Sequence, residues 1–455
     1  MSEKQTDARI VLIGAGSVSF GLSTLGDLMT VGYENLNGAT IVLHDISEPN
    51  LKRMTGVLKL ALKEAGEDGD LVPYKVESTI NPKEALQDAN YVVMSIEHGN
   101  RMETWKQDYY IPRKHGSRQI YGENGGPGGA FHTWRQVPPM LKICRTMEDL
   151  CPDAWLLNYS NPVPRVTWAL KRVSKIKTIG LCHGVLSGVN GLISILGTSR
   201  KNLDFISAGL NHFYWFIKVT AKRDFKLPAF DHHPEEEIKA GTDMVPYIRK
   251  RGITWAKQGE KSLLEEIFRL YGYLTYPSQS HPGEYIPWAD SYCPYVKYNF
   301  SGYAAGGERE KEKLNRTLAG DEMNYWWVHP SGERAIYIID ALEHDKNQYE
   351  LAVNVENGGA INNLRSDCVA EVPAYVDKSG IHPIDVGVFP DGIAQLLQSE
   401  VAIQDLVSKA AVTGDRETAI QALSLDGTVP NPESARAMFN EMLKLQKDLL
   451  PQFRP

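Results

Sequence analysis

A cysteine and a histidine stand side by side in the segment IGLCHGV, as Cys182 and His183. Asn211 and His212 follow about 30 residues later in GLNHF, again beside a run of strand-like residues. A thiolate and imidazoles in such a set can bind a divalent metal or form a catalytic dyad. No second cysteine lies close in sequence, which disfavours a structural zinc site. The residue types alone leave a metal site, a nucleophile and a buried inert thiol all open.

A glycine-rich segment near the N-terminus indicates a dinucleotide site. The strand-like RIVLI runs into Gly14, Gly16 and Ser17, and a helical segment follows from Phe20. Backbone N–H groups in such a loop and at the helix N-terminus can hold a pyrophosphate. Asp45 ends the next strand-like run, where a carboxylate accepts hydrogen bonds from ribose hydroxyls and favours NAD over NADP. A tight structural turn at the glycines and a helix cap at Asp45 are the alternatives.

One feature departs from the usual dinucleotide fingerprint, and a second adds candidate residues to the predicted site. The third glycine of the usual fingerprint is replaced by Ser19. The segment NYSNP places Asn158 and Asn161 after another strand-like run. In a dinucleotide fold this position faces the nicotinamide crevice, so both amides are candidates to bind substrate and Asn161 also the cofactor. Asn-Pro is equally a turn signal without further function.

Strand-like and helical segments alternate through the first half of the chain. We expect strands within 9–16, 39–46, 90–96, 153–162 and 177–185, with helices over 21–31 and 51–66. This alternation predicts an α/β, Rossmann-like doubly wound sheet, similar overall to lactate or malate dehydrogenase. The second half predicts an α+β region, with strands over 208–221, 349–357 and 368–384, a helix over 334–345 and helices from 390 onward. We therefore expect an NAD-binding domain over 1–200 and an α+β domain for substrate, metal and oligomerisation over 201–455.

Composition excludes several classes of protein. The 455 residues carry 49 basic and 56 acidic side chains, a net charge of −7, which disfavours a nucleic-acid partner. No apolar run reaches about 18 residues, so we expect no membrane segment. The N-terminal residues do not read as a signal peptide. Five cysteines in a chain of this length do not indicate a disulfide framework, so we expect a cytoplasmic protein.

Six segments carry a resemblance in their order and spacing: GAGSVSF, KHGSRQIYGENGGPGG, CPDAWLLNYSNP, GLCHGV, AGLNH and EVPAYVDKSGIHP. Together they resemble the NAD- and metal-dependent glycosidases of glycoside hydrolase family 4, over nearly the whole chain. The resemblance implies that Cys182 and His212 bind a divalent metal, usually Mn²⁺. It also implies bound NAD⁺, a small-molecule glycoside as substrate, and a homodimer or homotetramer. His183 stands where phosphoglycosidases of the family tend to carry Asp or Asn, which points to an unphosphorylated α-glycoside.

The resemblance further implies a redox route to bond cleavage. Hydride leaves C3 of the sugar for NAD⁺, a base removes the C2 proton, the aglycone is eliminated, water adds, and hydride returns. By resemblance, Glu123 in YGENGGPGG is the acid for the leaving group, although relatives often have Asp there. Tyr285 is the first choice for the base, with His281 and Glu284 as alternatives, and His183 is counted among the catalytic residues.

The substrate-binding candidates are polar or basic side chains near these motifs, namely Asn158, Asn161, Arg135, His115, Arg118 and Asn211. Arg101, His115 and Arg118 lie near the glycine loop and make an anionic sugar, such as a uronide or sulfoquinovoside, attractive. Any single arginine is more often a solvated surface charge. Two other functions stay open: an NAD-dependent dehydrogenase of the malate or lactate type, and a catalytically inactive sugar or nucleotide sensor.

Overall fold

The computed structural model describes residues 6–65, 73–293, 295–322 and 329–454, so the helix end predicted at Gly66 lies outside them. The strands are β1 (Arg9–Ile13), β2 (Thr40–His44), β3 (Lys75–Thr79), β4 (Tyr91–Met94), β5 (Trp155–Asn158), β6 (Lys177–Gly180), β7 (Leu203–Leu210), β8 (Phe213–Ala221), β9 (Phe225–Leu227), β10 (Glu236–Ile238), β11 (Gln348–Glu356), β12 (Val369–Asp377) and β13 (Gly380–Pro383). The helices are α1 (Phe20–Asp27), α2 (Tyr33–Asn35), α3 (Glu48–Ala65), α4 (Pro82–Leu86), α5 (Arg101–Lys114), α6 (Gly126–Leu150), α7 (Val163–Val173), α8 (Gly184–Leu196), α9 (Val245–Trp255), α10 (Leu263–Leu270), α11 (Ser280–Gly283), α12 (Phe300–Ala319), α13 (Ala335–His344), α14 (Asp391–Thr413), α15 (Arg416–Leu425) and α16 (Pro432–Leu445).

The first half forms a parallel sheet with strand order β3-β2-β1-β4-β5-β6. Its central strands are apolar runs, RIVLI in β1 and YVVM in β4, and helices cover both of their faces because every crossover between parallel strands carries a helix. The strand order reverses between β1 and β4, which is where a doubly wound sheet binds its ligand. The predicted α/β, Rossmann-like fold is confirmed.

The strands of the second half continue the same sheet. β11 pairs antiparallel with β6, and β12, β7 and β8 follow in that order, while β13 pairs with β12. The sheet therefore crosses the boundary predicted near residue 200, and the division into two domains stays a prediction about the sequence. The single strand predicted over 208–221 is wrong. It is the end of β7 and all of β8, joined by a two-residue turn at Asn211 and His212.

One row of paired residues runs across the sheet at the carboxyl ends of the parallel strands. Asn158 pairs with Gly180, Gly180 with Asn354, Asn354 with Glu371, and Glu371 with Gly209. The loops that follow β1, β5 and β6, and the β7–β8 turn, all leave the sheet at or just beyond this row. Residues distant in the sequence, including all the candidate ligands, are thereby brought to one edge.

The C-terminal helices pack against the first half of the chain. Arg165 on α7 and Glu400 on α14 form an ion pair of 2.8 Å, and both side chains are buried. Trp134 on α6 donates its indole N–H to the carbonyl of Val407 on α14 at 3.0 Å. Among the described residues, no helix is long and apolar enough to cross a lipid bilayer.

Replacing Arg165 with methionine should test this packing. The substitution leaves the Glu400 carboxylate buried without its cation, so we expect the free energy of unfolding to fall by about 3–5 kcal/mol. Denaturant unfolding followed by circular dichroism measures it. The matched control is Lys222→Met, because Lys222 and Asp204 form an exposed pair of 3.2 Å and exposed pairs contribute about 1 kcal/mol or less. Equal destabilisation by both variants would contradict the expectation.

Candidate active site

Cys182 and His212 meet at the carboxyl edge of the sheet. The Cys182 Sγ atom lies 3.3 Å from Nε2 of His212. Bonds of about 2.3 Å to sulfur and about 2.1 Å to an imidazole nitrogen are usual for a divalent ion such as Zn²⁺, so one ion can bind both atoms at this separation. In the described part of the chain, no group of three or more His, Cys, Asp and Glu side chains is placed to hold a metal. A metal on this pair would keep coordination positions open for substrate oxygens.

Burial determines the protonation states of Cys182 and His212. Burial lowers the pKa of His212, so its imidazole is neutral and keeps a lone pair at neutral pH. Burial raises the pKa of the Cys182 thiol to about 11, so a bound metal would have to displace its proton. His212 also has a φ of 62°, in the left-handed region that histidine adopts infrequently. Such backbone strain clusters at functional sites.

Glu371 holds the two ligand-bearing segments together. Its Oε2 accepts hydrogen bonds from Nδ2 of Asn211 at 2.6 Å and from Nδ2 of Asn354 at 3.1 Å. Asn211 precedes His212 in the turn, and Asn354 pairs with Gly180, two residues before Cys182. Burial raises the pKa of Glu371, which lies 1% exposed. The amide of Asn211 is therefore directed at Glu371, away from the substrate role predicted for it. A lone acidic residue in the apolar strand CVAEVPAYV was the signal for Glu371 in the sequence.

The glycine loop has the geometry of a dinucleotide site. Asp45 Oδ2 accepts the backbone N–H of Gly16 at 2.9 Å, and Oδ1 accepts that of Ser47 at 2.8 Å, which ties the loop to the end of β2. No side chain caps the N-terminus of α1, so the N–H groups of Phe20 and Gly21 can face an anion, while that of Leu22 donates to the Ser17 carbonyl at 3.3 Å. A Cβ on Gly14 would lie 2.0 Å from the Ser95 carbonyl oxygen.

The fingerprint does have a third glycine, two positions later than expected. A Cβ on Gly21 would lie 2.5 Å from the carbonyl oxygen of Ala15, so this residue allows the helix to pack closely on the strand. Ser19 is not the replacement for that glycine, and its hydroxyl pairs instead with the hydroxyl of Ser17 at 3.1 Å. The packing contact with Ala15 therefore identifies Gly21 as the third glycine, where the usual spacing pointed to position 19.

The loop after β5 lies beside α1. The rings of Phe20 and Tyr159 pack at 4.4 Å. Asn158 is fully buried, and its side chain accepts from the N–H of Ser160 at 2.9 Å and donates to its carbonyl at 3.2 Å. Asn158 thus shapes the loop, which corrects its predicted contact with substrate. Asn161 is partly exposed and stays a candidate for cofactor and substrate.

Glu123 lies on a loop whose backbone is held from the second half of the chain. Glu284 Oε2 accepts three backbone N–H groups, from Glu123 at 2.9 Å, Asn124 at 2.6 Å and Gly125 at 2.8 Å. The Glu284 side chain is buried and occupied in this role, so the structure does not favour it as a base. The Glu123 carboxylate is partly exposed and accepts the Tyr121 hydroxyl at 3.0 Å.

Two tyrosines, Tyr276 and Tyr285, lie near the ligands. The base predicted from the sequence, Tyr285, is the more deeply buried of the two. Tyr285 is 8% exposed, stacks on Phe213 at 5.0 Å, and donates its hydroxyl to the backbone carbonyl of Asn211 at 3.3 Å. Burial raises its pKa well above the usual value. These contacts identify Tyr285 as a core residue behind the turn, which corrects its choice as the base.

Tyr276 lies at the site although the sequence did not predict it there. Its partly exposed ring packs edge-on to that of His212 at 5.6 Å and to that of His281 at 4.5 Å. A Cβ on Gly184 would lie 3.2 Å from Tyr276, 3.4 Å from Cys182 Sγ and 3.4 Å from His212, so these three side chains surround one point. Burial raises the pKa of Tyr276 and a hydrogen bond from Ser187 lowers it. The signal available was a dense aromatic and proline stretch without periodicity.

His183 immediately precedes α8. Its Nδ1 lies 2.6 Å from Oε1 of Glu333, and its side chain is 62% exposed. The hydrogen bond that the ring donates to Glu333 raises the pKa of His183 to about 9, so the ring is charged at neutral pH. Asp27 on α1 accepts the N–H of Ser331 at 2.7 Å and so fixes the segment that carries Glu333.

Of the predicted basic cluster, His115 and Arg118 lie beside carboxylates, and Arg101 lies 5.2 Å above the ring of Trp105. Arg135 is 1% exposed and forms two hydrogen bonds with Asp108, at 3.0 and 2.7 Å, so it is a buried structural group. His115 pairs with Glu441 at 2.6 Å. Arg118 lies 3.7 Å from Asp290 and donates to the carbonyl of Gly427. Their acidic partners come from segments far away in the sequence, which is why the sequence alone suggested free cations.

Comparison with known families decides the identity of this arrangement. The model of the family 4 glycosyl hydrolases matches residues 9–198, and that of the family's C-terminal domain matches residues 207–429. The chain belongs to glycosyl hydrolase family 4. The resemblance carried by the sequence motifs is thereby confirmed, and this family 4 protein is a glycosidase rather than a dehydrogenase of the malate or lactate type.

Relatives of this family 4 protein match over almost their full length. An alpha-glucosidase of Erwinia rhapontici is 33% identical over 97% of this chain and 98% of the relative. An alpha-galactosidase of Bacillus subtilis (strain 168) is 30% identical over 98% of this chain and 100% of the relative. A solved 6-phospho-alpha-glucosidase from gut microorganisms, in complex with NAD and Mn²⁺, has a TM-score of 0.80 at 21% identity, with coverage of 98% of this chain and 99% of that chain. At that identity the structural likeness shows the fold.

The Glu371 contacts of this family 4 protein generate a test of metal binding. Glu371→Ala removes the acceptor that positions Asn211 and Asn354, so we expect divalent-metal affinity to fall by about 10- to 100-fold. Calorimetric titration with Mn²⁺ measures it. Glu371→Gln is the matched control, since its amide oxygen can still accept from both asparagines and should preserve most of the affinity. Unchanged affinity in Glu371→Ala would show that the carboxylate does not position the ligands.

Proposed function

We propose that this protein is an NAD⁺- and Mn²⁺-dependent glycosidase that cleaves a neutral, unphosphorylated α-glycoside by temporary oxidation of the sugar. The observation that carries the proposal is the 3.3 Å approach of Cys182 and His212 at the carboxyl edge of a dinucleotide-binding sheet. Cys182 and His212 would hold the metal. The N-terminus of α1 would hold the pyrophosphate of NAD⁺, Gly14 and Gly16 would let the backbone approach it closely, and Asp45 would bind the adenosine ribose.

The cofactors and the chain divide the chemistry between them. When bound, NAD⁺ supplies a hydride acceptor for C3 of the sugar, and Mn²⁺ supplies a Lewis acid whose charge also favours the tyrosinate form of a neighbouring tyrosine. Tyr276 removes the proton at C2, because its ring lies against the ligand His212. Glu123 delivers a proton to the departing glycosidic oxygen, because its carboxylate is partly exposed on a loop whose backbone is held by Glu284. His183, charged by its pairing with Glu333, is placed to hydrogen-bond a sugar hydroxyl.

Charge supports a neutral sugar over the anionic one considered in the sequence analysis. Carboxylates at or behind the ligand pair include Glu123, Glu284 and Glu371. The arginines Arg135, Arg165 and Arg334 are each paired with a carboxylate, at 2.7, 2.8 and 2.7 Å. None of these three arginines is therefore free to pair with a sugar carboxylate, sulfonate or phosphate. The names of the two relatives, alpha-glucosidase and alpha-galactosidase, support α-linked glucose or galactose as the glycone.

We further propose a cytoplasmic location, supported by five cysteines that are all free of disulfides. Assembly into a homodimer or homotetramer stays a prediction from the family resemblance.

A panel of nitrophenyl glycosides tests the proposed reaction. With NAD⁺, Mn²⁺ and a reductant, we expect hydrolysis of the α-glucoside or α-galactoside, and much slower hydrolysis of the α-galacturonide and the 6-phospho sugars. EDTA or the substitution Cys182→Ser should abolish release of nitrophenol, because each removes the metal. Cys151→Ser is the control. Cys151 is a buried cysteine directly after α6, and this variant should remain active. Full turnover by protein stripped of NAD⁺ would defeat the proposal.

A pair of tyrosine variants tests the base. Tyr276→Phe should lower kcat by about 10²–10⁴-fold, the usual contribution of a general base. Tyr285→Phe removes only the hydroxyl that contacts the Asn211 carbonyl, so kcat should change little. Initial rates with the substrate protonated or deuterated at C2 separate loss of the base from loss of binding, because only the former enlarges the isotope effect. The reverse ranking of the two variants would reassign the base to Tyr285.

A further inference from the structure

We propose that Glu97, in the loop after β4, is a specificity-determining residue that accepts hydrogen bonds from the sugar hydroxyls at C4 and C6. The reaction proposed above takes place at C1, C2 and C3, so the hydroxyls at C4 and C6 are the ones left for recognition. Glucose and galactose differ only in the configuration at C4, so a residue that binds there separates the two sugars. This inference rests on the proposed function, since it concerns the sugar bound at the same site.

The loop that carries Glu97 leaves the sheet between two other loops of the site. A Cβ on Gly14 would lie 2.0 Å from the carbonyl oxygen of Ser95, so the glycine loop lies directly against it. The backbone N–H of Ile96 donates to Oγ of Ser160, in the loop after β5, at 2.9 Å. The strand order reverses between β1 and β4, and ligands of doubly wound sheets bind at such a point. Glu97 therefore lies at the crevice.

His132, on α6, joins Glu97 to the loop of the proposed acid. Its Nδ1 donates to the backbone carbonyl of Glu123 at 2.9 Å, and its Nε2 lies 3.1 Å from Oε2 of Glu97. Burial lowers the pKa of His132, but the charge of Glu97 raises it above its usual value overall. Burial likewise raises the pKa of Glu97, and the charge of His132 more than offsets this. Both groups are therefore ionised at neutral pH, and one buried imidazole spans the gap between the two glutamates.

One oxygen of Glu97 is left for a ligand. Within the described part of the chain, no group donates a hydrogen bond to Oε1, and Nη2 of Arg135 lies 3.8 Å away, beyond hydrogen-bond distance. Arg135 is held instead by Asp108 at 2.7 Å. The Glu97 side chain is 29% exposed, so its carboxylate reaches the crevice. An ionised carboxylate that is fixed at one oxygen and open at the other is a strong acceptor for hydroxyl groups.

The register of the sheet places Glu97 at a distance from the metal ligands that suits one sugar. Met94, Asn158 and Gly180 pair in one row across β4, β5 and β6. Glu97 follows Met94 by three residues, and Cys182 follows Gly180 by two. Neighbouring strands lie about 4.8 Å apart, so the ends of β4 and β6 are about 10 Å apart. A hexose that lies across the end of β5, with C2 and C3 at the ligand pair, therefore directs C4 and C6 toward Glu97.

Deoxy sugars test this contact, with enzyme loaded with NAD⁺ and Mn²⁺. The substrates are the nitrophenyl α-glycoside that the wild-type enzyme prefers and its 4-deoxy and 6-deoxy analogues. Wild-type kcat/KM should fall roughly 10- to 100-fold on each analogue, because each loses a hydrogen bond to a charged group. Glu97→Ala should bring the ratio between parent and analogues near one, since the group that distinguishes them is gone. Glu97→Gln keeps an oxygen that can accept from the hydroxyls and should retain part of the preference.

Glu103→Gln, at an exposed glutamate on α5, is the matched control and should keep the wild-type preference. Equal rates on all three substrates in the wild type, or a preference that Glu97→Ala retains in full, would overturn the proposal. So would a tenfold or greater rise in the Kd of NAD⁺ in Glu97→Ala with an unchanged substrate preference, because the carboxylate would then bind a ribose of the cofactor. Fluorescence titration in the absence of sugar measures that Kd.

Wild-type enzyme that cleaves none of the three substrates would count against the proposed function instead. Thermal unfolding of each variant separates loss of folding from loss of recognition. Glu97→Met keeps the length of the side chain and removes both acceptor oxygens, so it carries the test if Glu97→Ala does not fold.

Discussion

The candidate site depends on a buried carboxylate that joins strands from opposite ends of the sequence. Glu371 accepts hydrogen bonds from Asn211 and Asn354, and through them it relates the turn carrying His212 to the strand before Cys182. Burying a carboxylate without a cation is costly, and here amide donors offset part of that cost. The energetic expense is consistent with a group whose function is to place two ligands within 3.3 Å.

The same arrangement explains why an extended antiparallel region follows a dinucleotide-binding sheet. The parallel strands deliver the glycine loop, the Asn158 loop and Cys182 to one edge. The β7–β8 turn delivers His212 to that edge because β7 and β12 are in register with the parallel strands at Gly209 and Glu371. A metal would thus lie beside the nicotinamide crevice. Glycosidases with two catalytic carboxylates need no such juxtaposition, since their chemistry involves no hydride transfer.

Charge pairing decides what such a site can bind. Tertiary contacts pair Arg135, Arg165 and Arg334 each with a carboxylate, so none of the three is free to bind an anion. The carboxylates of Glu123, Glu284 and Glu371 remain on the substrate side or directly behind it. The pairing of these arginines supports the proposal of a neutral sugar rather than a phosphorylated one.

Much of this protein can be predicted from local sequence. The apolar strands of the first half, the glycine loop with Asp45, and the Cys182 and His212 pair are encoded within short segments, because hydrophobic period, glycine placement and strand ends are local properties. The helix predicted over 334–345 and the strand over 349–357 agree with α13 and β11, whereas the single strand predicted over 368–384 is the hairpin of β12 and β13. The hairpin at 211–212 was missed because its turn lacks the glycine that usually marks such turns.

The sequence by itself therefore determined the fold class, the family and the kinds of ligand that the site can bind. Only the tertiary structure decided which of two nearby tyrosines lies beside the ligands, that Glu371 positions them, and that the basic residues are already paired. The physical reason is that these properties depend on burial and on tertiary partners, such as Asn211 with Glu371 at a separation of 160 residues. Side-chain type and spacing carry no information about such pairings.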